Sequence, residues 1–320
     1  HEGSLGLAKQ FIKAAVETGV DCVKLQTHIF EAESLDDAPN PPYFKDETRK
    51  QYFERTSFTL EEHKKLHDYT NDLGCDFISS PFSIEAVELL EKVGIPFYKI
   101  ASGEVSNIPL LEVVGRTGKK VLLSSGMSGW ADLRLAMDTL KENGCPEIIL
   151  LQCTSKYPCP PEYSGLNMMA FMSEEFKLPI GYSDHTYGSG ISVAAVVKGA
   201  VVIEKHFTLS KKMYGSDAQF AAEPEEFRDL VTAIRSVDIA LSSKITKEDV
   251  TSGLSVMKST FEKSVVAAFD LLPGHIIERS DLRFKKPGFG IPAKEYKSII
   301  GRKVVNKVKG NTRIELSDYE

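Results

Sequence analysis

Three short spacings in this 320-residue chain could bring reactive groups together: Lys24 with Gln26, Ser183 with His185, and Glu204 with His206. Residues two apart on a β-strand share a face, so each pair would point into one space. His185 and His206 could share a cation through their imidazole nitrogens, with carboxylates at Asp184 and Glu204 close by in sequence. Two protein ligands leave positions open for water and substrate, which suits Lewis-acid polarisation of a carbonyl. A mixed nitrogen and oxygen environment favours manganese or magnesium over structural zinc, which takes four closed protein ligands. Lys24, Ser80, Ser102 and Ser183 offer one cation and three hydroxyls, the makings of a site for a small phosphate. Lys99 adds a second positive charge or pairs with Glu104. There is no Walker loop and no GxGxxG, so nucleotide binding has no support.

The elements that must position these residues alternate. Apolar residues at helical spacing from Ser4 to Thr18 give way at Gly19 to a β-branched run, Val20 to Gln26. Thr59 and Glu62 form a capping-box signature for a helix ending near Leu73, and a strand follows from Cys75 to Ser79. Further strands are predicted at 97–101, 120–124, 147–152, 178–183 and 200–205, with helices at 84–93, 109–116, 131–142, 167–176, 189–198 and 224–241 between and after them. Such alternation means a parallel sheet, and its length points to a (β/α)8 TIM barrel whose first strand is expected before His1. In that fold the active site is built at the C-terminal ends of the strands. The predicted strand ends carry Lys24 and Gln26, Ser79 and Ser80, Ser102 and Glu104, Ser124 and Ser125, Gln152 to Ser155, Ser183 and His185, and Glu204 and His206. A single serine there could merely cap the next helix; seven polar ends together argue for a site. The barrel is expected over residues 1–243, a linker or connecting helix over 244–260, and a small β-rich module broken by Pro-Gly and Gly-Asn turns over 261–320.

Composition narrows the partners. A net charge of −6 and a pI near 5.8 argue against a nucleic-acid polyanion as the main partner, because phosphate backbones require a basic face. No apolar run approaches the length of a membrane span and no signal segment opens the sequence, so the cytoplasm is the expected setting. The five cysteines are scattered without a CxxC pair and read as reduced thiols.

The pieces HEGSLGLAKQ, VKLQTH, FISSPFS, YKIASGE, LSSGM, LQCTSKYPCP, IGYSDHT and VIEKHFT, in that order, resemble the successive signatures of the N-acetylneuraminate (sialic acid) synthase family, which includes legionaminate and pseudaminate synthases. KPGFGI from Lys286 to Ile291 is similar to its terminal antifreeze-like, or SAF, module. The resemblance implies condensation of phosphoenolpyruvate with N-acetylmannosamine or a related amino-sugar aldehyde. It implies that residues at His185 and His206 hold a divalent ion, usually manganese, and that Lys24, Ser80, Ser102, Ser155 and Ser183 surround phosphoenolpyruvate. Gln26, Glu104, Tyr157 and Asp217 would then face the sugar, with Glu104 a candidate for proton transfer. It also implies a domain-swapped homodimer in which the SAF module covers the partner's barrel. Lys286 stands where many members carry an arginine directed at the N-acetyl group, and lysine lacks the planar two-pronged donor. Two other readings are a phosphoenolpyruvate aldolase acting on a sugar phosphate and a non-catalytic carbohydrate-binding protein.

Overall fold

The computed structural model describes residues 1–40 and 47–320. It divides into two compact units, His1–Ser242 and Ser243–Glu320. In the first, helix α1 (Leu5–Val16) is capped by the Ser4 hydroxyl and followed by strand β1 (Cys22–Thr27). Helices α2 (Phe30–Glu33), α3 (Arg49–Thr56) and α4 (Leu60–Asp72) come next; α4 opens with the expected Thr59–Glu62 capping box. Strand and helix then alternate: β2 (Asp76–Pro81), α5 (Ile84–Val93), β3 (Tyr98–Ile100), α6 (Ile108–Arg116), β4 (Val121–Ser124), α7 (Trp130–Glu142), β5 (Ile148–Cys153), α8 (Met168–Phe176), β6 (Ile180–Asp184), α9 (Gly190–Val197), β7 (Ile203–Lys205) and α10 (Pro224–Ser242).

In the first unit every strand pairing among the described residues is parallel and consecutive, β1 with β2 and β3 through β7 in order, and β2 packs beside β3. This is a curled TIM-like sheet. Among the described residues β7 and β1 share no hydrogen-bond ladder. The strand pleat sorts side chains into two populations. Phe77, Tyr98, Ile100, Val121, Leu123, Ile148, Leu150, Ile180 and Tyr182 face outward and join the main core under the helices. Ile78, Leu122, Ile149 and Leu151 face inward and form a separate apolar layer low in the barrel. Gly181 belongs to that inner layer; a Cβ there would stand 2.8 Å from the Val202 carbonyl, so glycine lets the strands close on Leu151.

The second unit begins with helices α11 (Lys247–Ser252) and α12 (Ser255–Phe261), so the polar stretch 244–260 folds largely as two short helices. An antiparallel pair, β8 (Ser264–Ala267) with β9 (Leu282–Lys285), and isolated bridges then surround a small core of Val265, Leu271, Ile277, Leu282, Ile299, Val304 and Ile314.

Candidate active site

The inward positions at the upper ends of the strands open into a cavity of about 1720 Å³ in the first unit. Lys24, Gln26, Ser80, Lys99, Ser102, Tyr157, Ser183, His185, His206 and Asp217 all line it. The same parity that places apolar side chains low in the barrel places these above them. Ile78 is followed two residues on by Ser80, Leu122 by Ser124, and Leu151 by Cys153.

One end of the cavity is cationic. Lys99 is 4% exposed and donates to Ser124 Oγ at 2.6 Å, and its Nζ lies 3.3 Å from Glu204 Oε2. Lys24 Nζ is 3.5 Å from the other oxygen of the same carboxylate. Burial alone would raise the Glu204 pKa, but Lys99 and then Lys24 outweigh it and hold the carboxyl far below its usual range. Burial lowers the pKa of Lys99, with Glu204 opposing. Two ammonium groups thus share one carboxylate, leaving one positive charge unbalanced at the wall. Beside them Ser80 Oγ is buried with no hydrogen-bond partner among the described residues. An orphaned buried hydroxyl costs roughly 1–3 kcal/mol unless a ligand or water completes it. Ser155 reaches the same region through Gly126: a Cβ at Gly126 would meet Ser155 Oγ at 2.7 Å and collide with Ser102 Oγ, so glycine alone leaves those hydroxyls room to converge. An oxyanion fits this cradle of ammonium and hydroxyl donors.

At the rim, the His185 and His206 ring centroids lie 5.3 Å apart, with the Tyr157 ring tilted against His185 at 4.2 Å and edge-on to His206 at 5.8 Å. His185 Nδ1 lies 2.8 Å from the Thr154 carbonyl, which only accepts, so Nδ1 carries the proton and Nε2 keeps its lone pair. Cys153 Sγ is a longer neighbour of Nδ1 at 4.0 Å. Burial lowers the His185 pKa, but the Cys153 contact outweighs it and the net direction is upward. Burial lowers that of His206, partly offset by Asp217, whose carboxylate is 3.5 Å from Nδ1. Metal–nitrogen bonds of roughly 2.1 Å put two imidazoles on one ion with centroids about 5 Å apart at a near-tetrahedral angle. The ring separation of His185 and His206 matches that spacing. Among the described residues no cluster of three or more His, Cys, Asp or Glu side chains could hold a metal, so an ion here would draw its other ligands from water or substrate.

Two expectations change. Asp184 is no candidate ligand: it faces outward, is 1% exposed, and has both oxygens engaged by Thr186 N, Thr186 Oγ1, Ser192 Oγ and Lys205 Nζ at 2.5–2.9 Å. Lys99 pairs with Glu204, not Glu104. Ser79 and Gln152, also outward, bond to Thr27 Oγ1 and to the Ser164 carbonyl. Glu104 sits one 3-10 turn beyond Ser102, with Oε2 accepting from Asn107 at 2.8 Å. Burial, and then the negative charge of Glu33, push its carboxyl up. Lys286 belongs to the second unit, where its ammonium lies 4.9 Å from the Phe261 ring centroid. Sequence reading missed the Asp184–Lys205 pair and the role of Gly126, although the period-two pattern separating Asp184 from His185 was available.

A parallel α/β barrel with a cationic, hydroxyl-rich cradle beside paired imidazoles defines an enzyme-like architecture for small anionic substrates. The NeuB family model matches residues 11–246 and the SAF domain model residues 262–320; this chain belongs to the NeuB family. It is 37% identical to the N,N'-diacetyllegionaminic acid synthase of Campylobacter jejuni, over 94% of this chain and 92% of that protein. It is 35% identical to the human N-acetylneuraminate-9-phosphate synthase, over 98% and 88%. The crystal structure of N-acetylneuraminic acid synthetase from Leptospira borgpetersenii superposes with a TM-score of 0.68 at 28% identity, over 81% of this chain and 89% of that one.

Proposed function

We propose that the chain condenses phosphoenolpyruvate with the open-chain aldehyde of an N-acetylated amino sugar, N-acetylmannosamine or a relative, giving a nonulosonic acid and phosphate. The observation that carries the reading is the meeting in one cavity of the Lys24–Lys99–Ser80 cradle with the His185–His206 pair. The names of the relatives agree with it.

In this reading Lys24, Lys99, Ser80, Ser102, Ser155 and Ser183 hold the phosphate and carboxylate of phosphoenolpyruvate. The unbalanced ammonium charge and the preorganised hydroxyls favour the anion and the charge that develops on it. A divalent cation, manganese or magnesium, held by His185 and His206, would supply Lewis-acid polarisation of the aldehyde when bound. Gln26, Tyr157 and Asp217 orient the sugar. The enol carbon bonds to the aldehyde carbon, whose oxygen takes a proton from Glu104, a carboxyl raised towards such a role by burial. Water then adds to the cationic carbon and loses a proton, and phosphate leaves with cleavage of its C–O bond. We also read the working form as a cytoplasmic homodimer in which a partner copy supplies Lys286 to the acceptor's acyl group. The SAF match supports a role for the second unit.

The test is phosphate release with phosphoenolpyruvate and Mn²⁺ against a panel of N-acetylmannosamine, its 6-phosphate and a 2,4-diacetamido-2,4,6-trideoxy hexose. Turnover with one of them, abolished by EDTA and by His206→Ala, is expected. Silence across the panel from folded, metal-loaded protein would refute the reading.

A further inference from the structure

His28 lies outside every role given above, yet it is built into the cavity wall with unusual care. It stands two residues after Gln26 and four after Lys24, on the inward parity of β1, and it lines the same cavity. Its ring is stacked between Phe53 and Phe82, both centroids 4.0 Å away and tilted by 13° and 22°. Both faces are thereby covered. Nδ1 meets both oxygens of Glu33, at 2.9 and 3.0 Å, and the Glu33 side chain is 5% exposed. A carboxylate only accepts, so Nδ1 carries the proton and a neutral ring keeps its lone pair on Nε2. Among the described residues Nε2 has no hydrogen-bond partner, and it is not a buried unsatisfied atom. The backbone is tied down as well, since Ser57 Oγ donates to the His28 carbonyl at 2.9 Å.

An aromatic sandwich leaves an imidazole one way to interact, through its edge. Here one half of that edge is committed to Glu33, and the other has no hydrogen-bond partner among the described residues, in a residue that lines the cavity. Such a group is a fixed hydrogen-bond acceptor whose orientation costs nothing further when a ligand arrives. The phosphate cradle on Lys24 and Lys99 is built from ammonium and hydroxyl donors. The imidazole adds an acceptor instead, which answers to an O–H or N–H donor and not to phosphoenolpyruvate, an acceptor-rich anion. Gln26, placed against the sugar above, stands two residues before His28 on the same strand parity and lines the same cavity, so the group lies in the neighbourhood of the acceptor.

We propose that His28 is a specificity-determining residue for the acceptor sugar, its Nε2 taking a hydrogen bond from a hydroxyl or amide N–H of that sugar, and that Glu33 is the positioning residue that fixes its tautomer. The inference rests on the functional reading above and deepens it.

Steady-state kinetics in both substrates test it, using whichever sugar of the panel the unaltered protein turns over. His28→Phe keeps the stack and removes the nitrogens. It is expected to raise KM for the sugar about tenfold or more, the usual loss when a positioned polar partner is removed, with KM for phosphoenolpyruvate within twofold. Glu33→Gln is expected to give a smaller rise in the same KM, because the ring stays while its tautomer is released, and His28→Gln, which restores an acceptor oxygen, to recover part of the loss. Should His28→Phe fail to fold, the other two variants carry the test. An unchanged sugar KM, or a parallel rise in both KM values, overturns the proposal while leaving the condensation reading intact. Absence of turnover with the unaltered protein sinks both.

Discussion

Replacing Lys205 by methionine is the most informative perturbation of the framework behind the histidines. Asp184 and Lys205 are register partners on β6 and β7, each one residue before a histidine, and they meet on the outer face of the sheet at 2.9 Å. Their side chains are 0% and 4% exposed. Removing one member of a buried ion pair leaves an uncompensated charge and costs about 3–5 kcal/mol. Asp184 would keep three donors, Thr186 N, Thr186 Oγ1 and Ser192 Oγ, which places the expected loss near the lower end, about 3 kcal/mol. For a unit this size each kcal/mol moves the melting temperature by roughly 2–4 °C, so a fall of about 6–12 °C is expected. Differential scanning fluorimetry and urea titration of Lys205→Met, Asp184→Asn and the double variant measure it. The double variant should regain more than half of the single loss, since it removes the stranded charge. Isothermal titration with Mn²⁺ should show weaker binding in Lys205→Met, because the spacing of the two imidazoles depends on this clasp. A single variant that loses less than about 1 kcal/mol, or a double variant that equals the sum of the singles, refutes the buried-pair argument.

Two further outcomes are expected. Glu104→Gln should lose turnover yet gain melting temperature at neutral pH: the folded carboxyl is raised above its unfolded value, so its ionisation opposes folding at pH 7. The gain should vanish as pH falls below the ordinary glutamate range, where both states are protonated. A flat difference across pH contradicts the assignment. Gly126→Ala should raise KM for phosphoenolpyruvate tenfold or more in a protein that still folds, because the added Cβ collides with the hydroxyls of Ser102 and Ser155; unchanged kinetics would remove both serines from the cradle.

Much of this was legible in the sequence because a strand carries its own geometry. The pairs Lys24–Gln26, Ser183–His185 and Glu204–His206 do share a face, and observed strand limits lie within about three residues of the expected ones. Counting every polar strand end as functional was too generous: Ser79 and Gln152 fall on the other face and satisfy framework bonds. The stretch after β1 was less readable. The His28–Glu33 contact joins a strand end to a four-residue helix, and α3 supplies Phe53 from further along, so the arrangement depends on tertiary closure and not on any local period. Residues 41–46 lie outside the described residues. Lys99 could not be assigned a partner until β3 and β7 were brought across the barrel from each other.

The interleaving on β6 and β7 has a consequence for how such a protein can change. Ser183, His185, Glu204 and His206 line the cavity, whereas Tyr182 joins the core under the helices and Asp184, on the same strand, bonds to Ser192 and Lys205. Chemistry and scaffold are written in alternate letters of the same short words. A new acceptor preference can therefore be acquired one letter at a time without rewriting the frame, while a slip of a single residue in either strand would exchange the two texts and lose both.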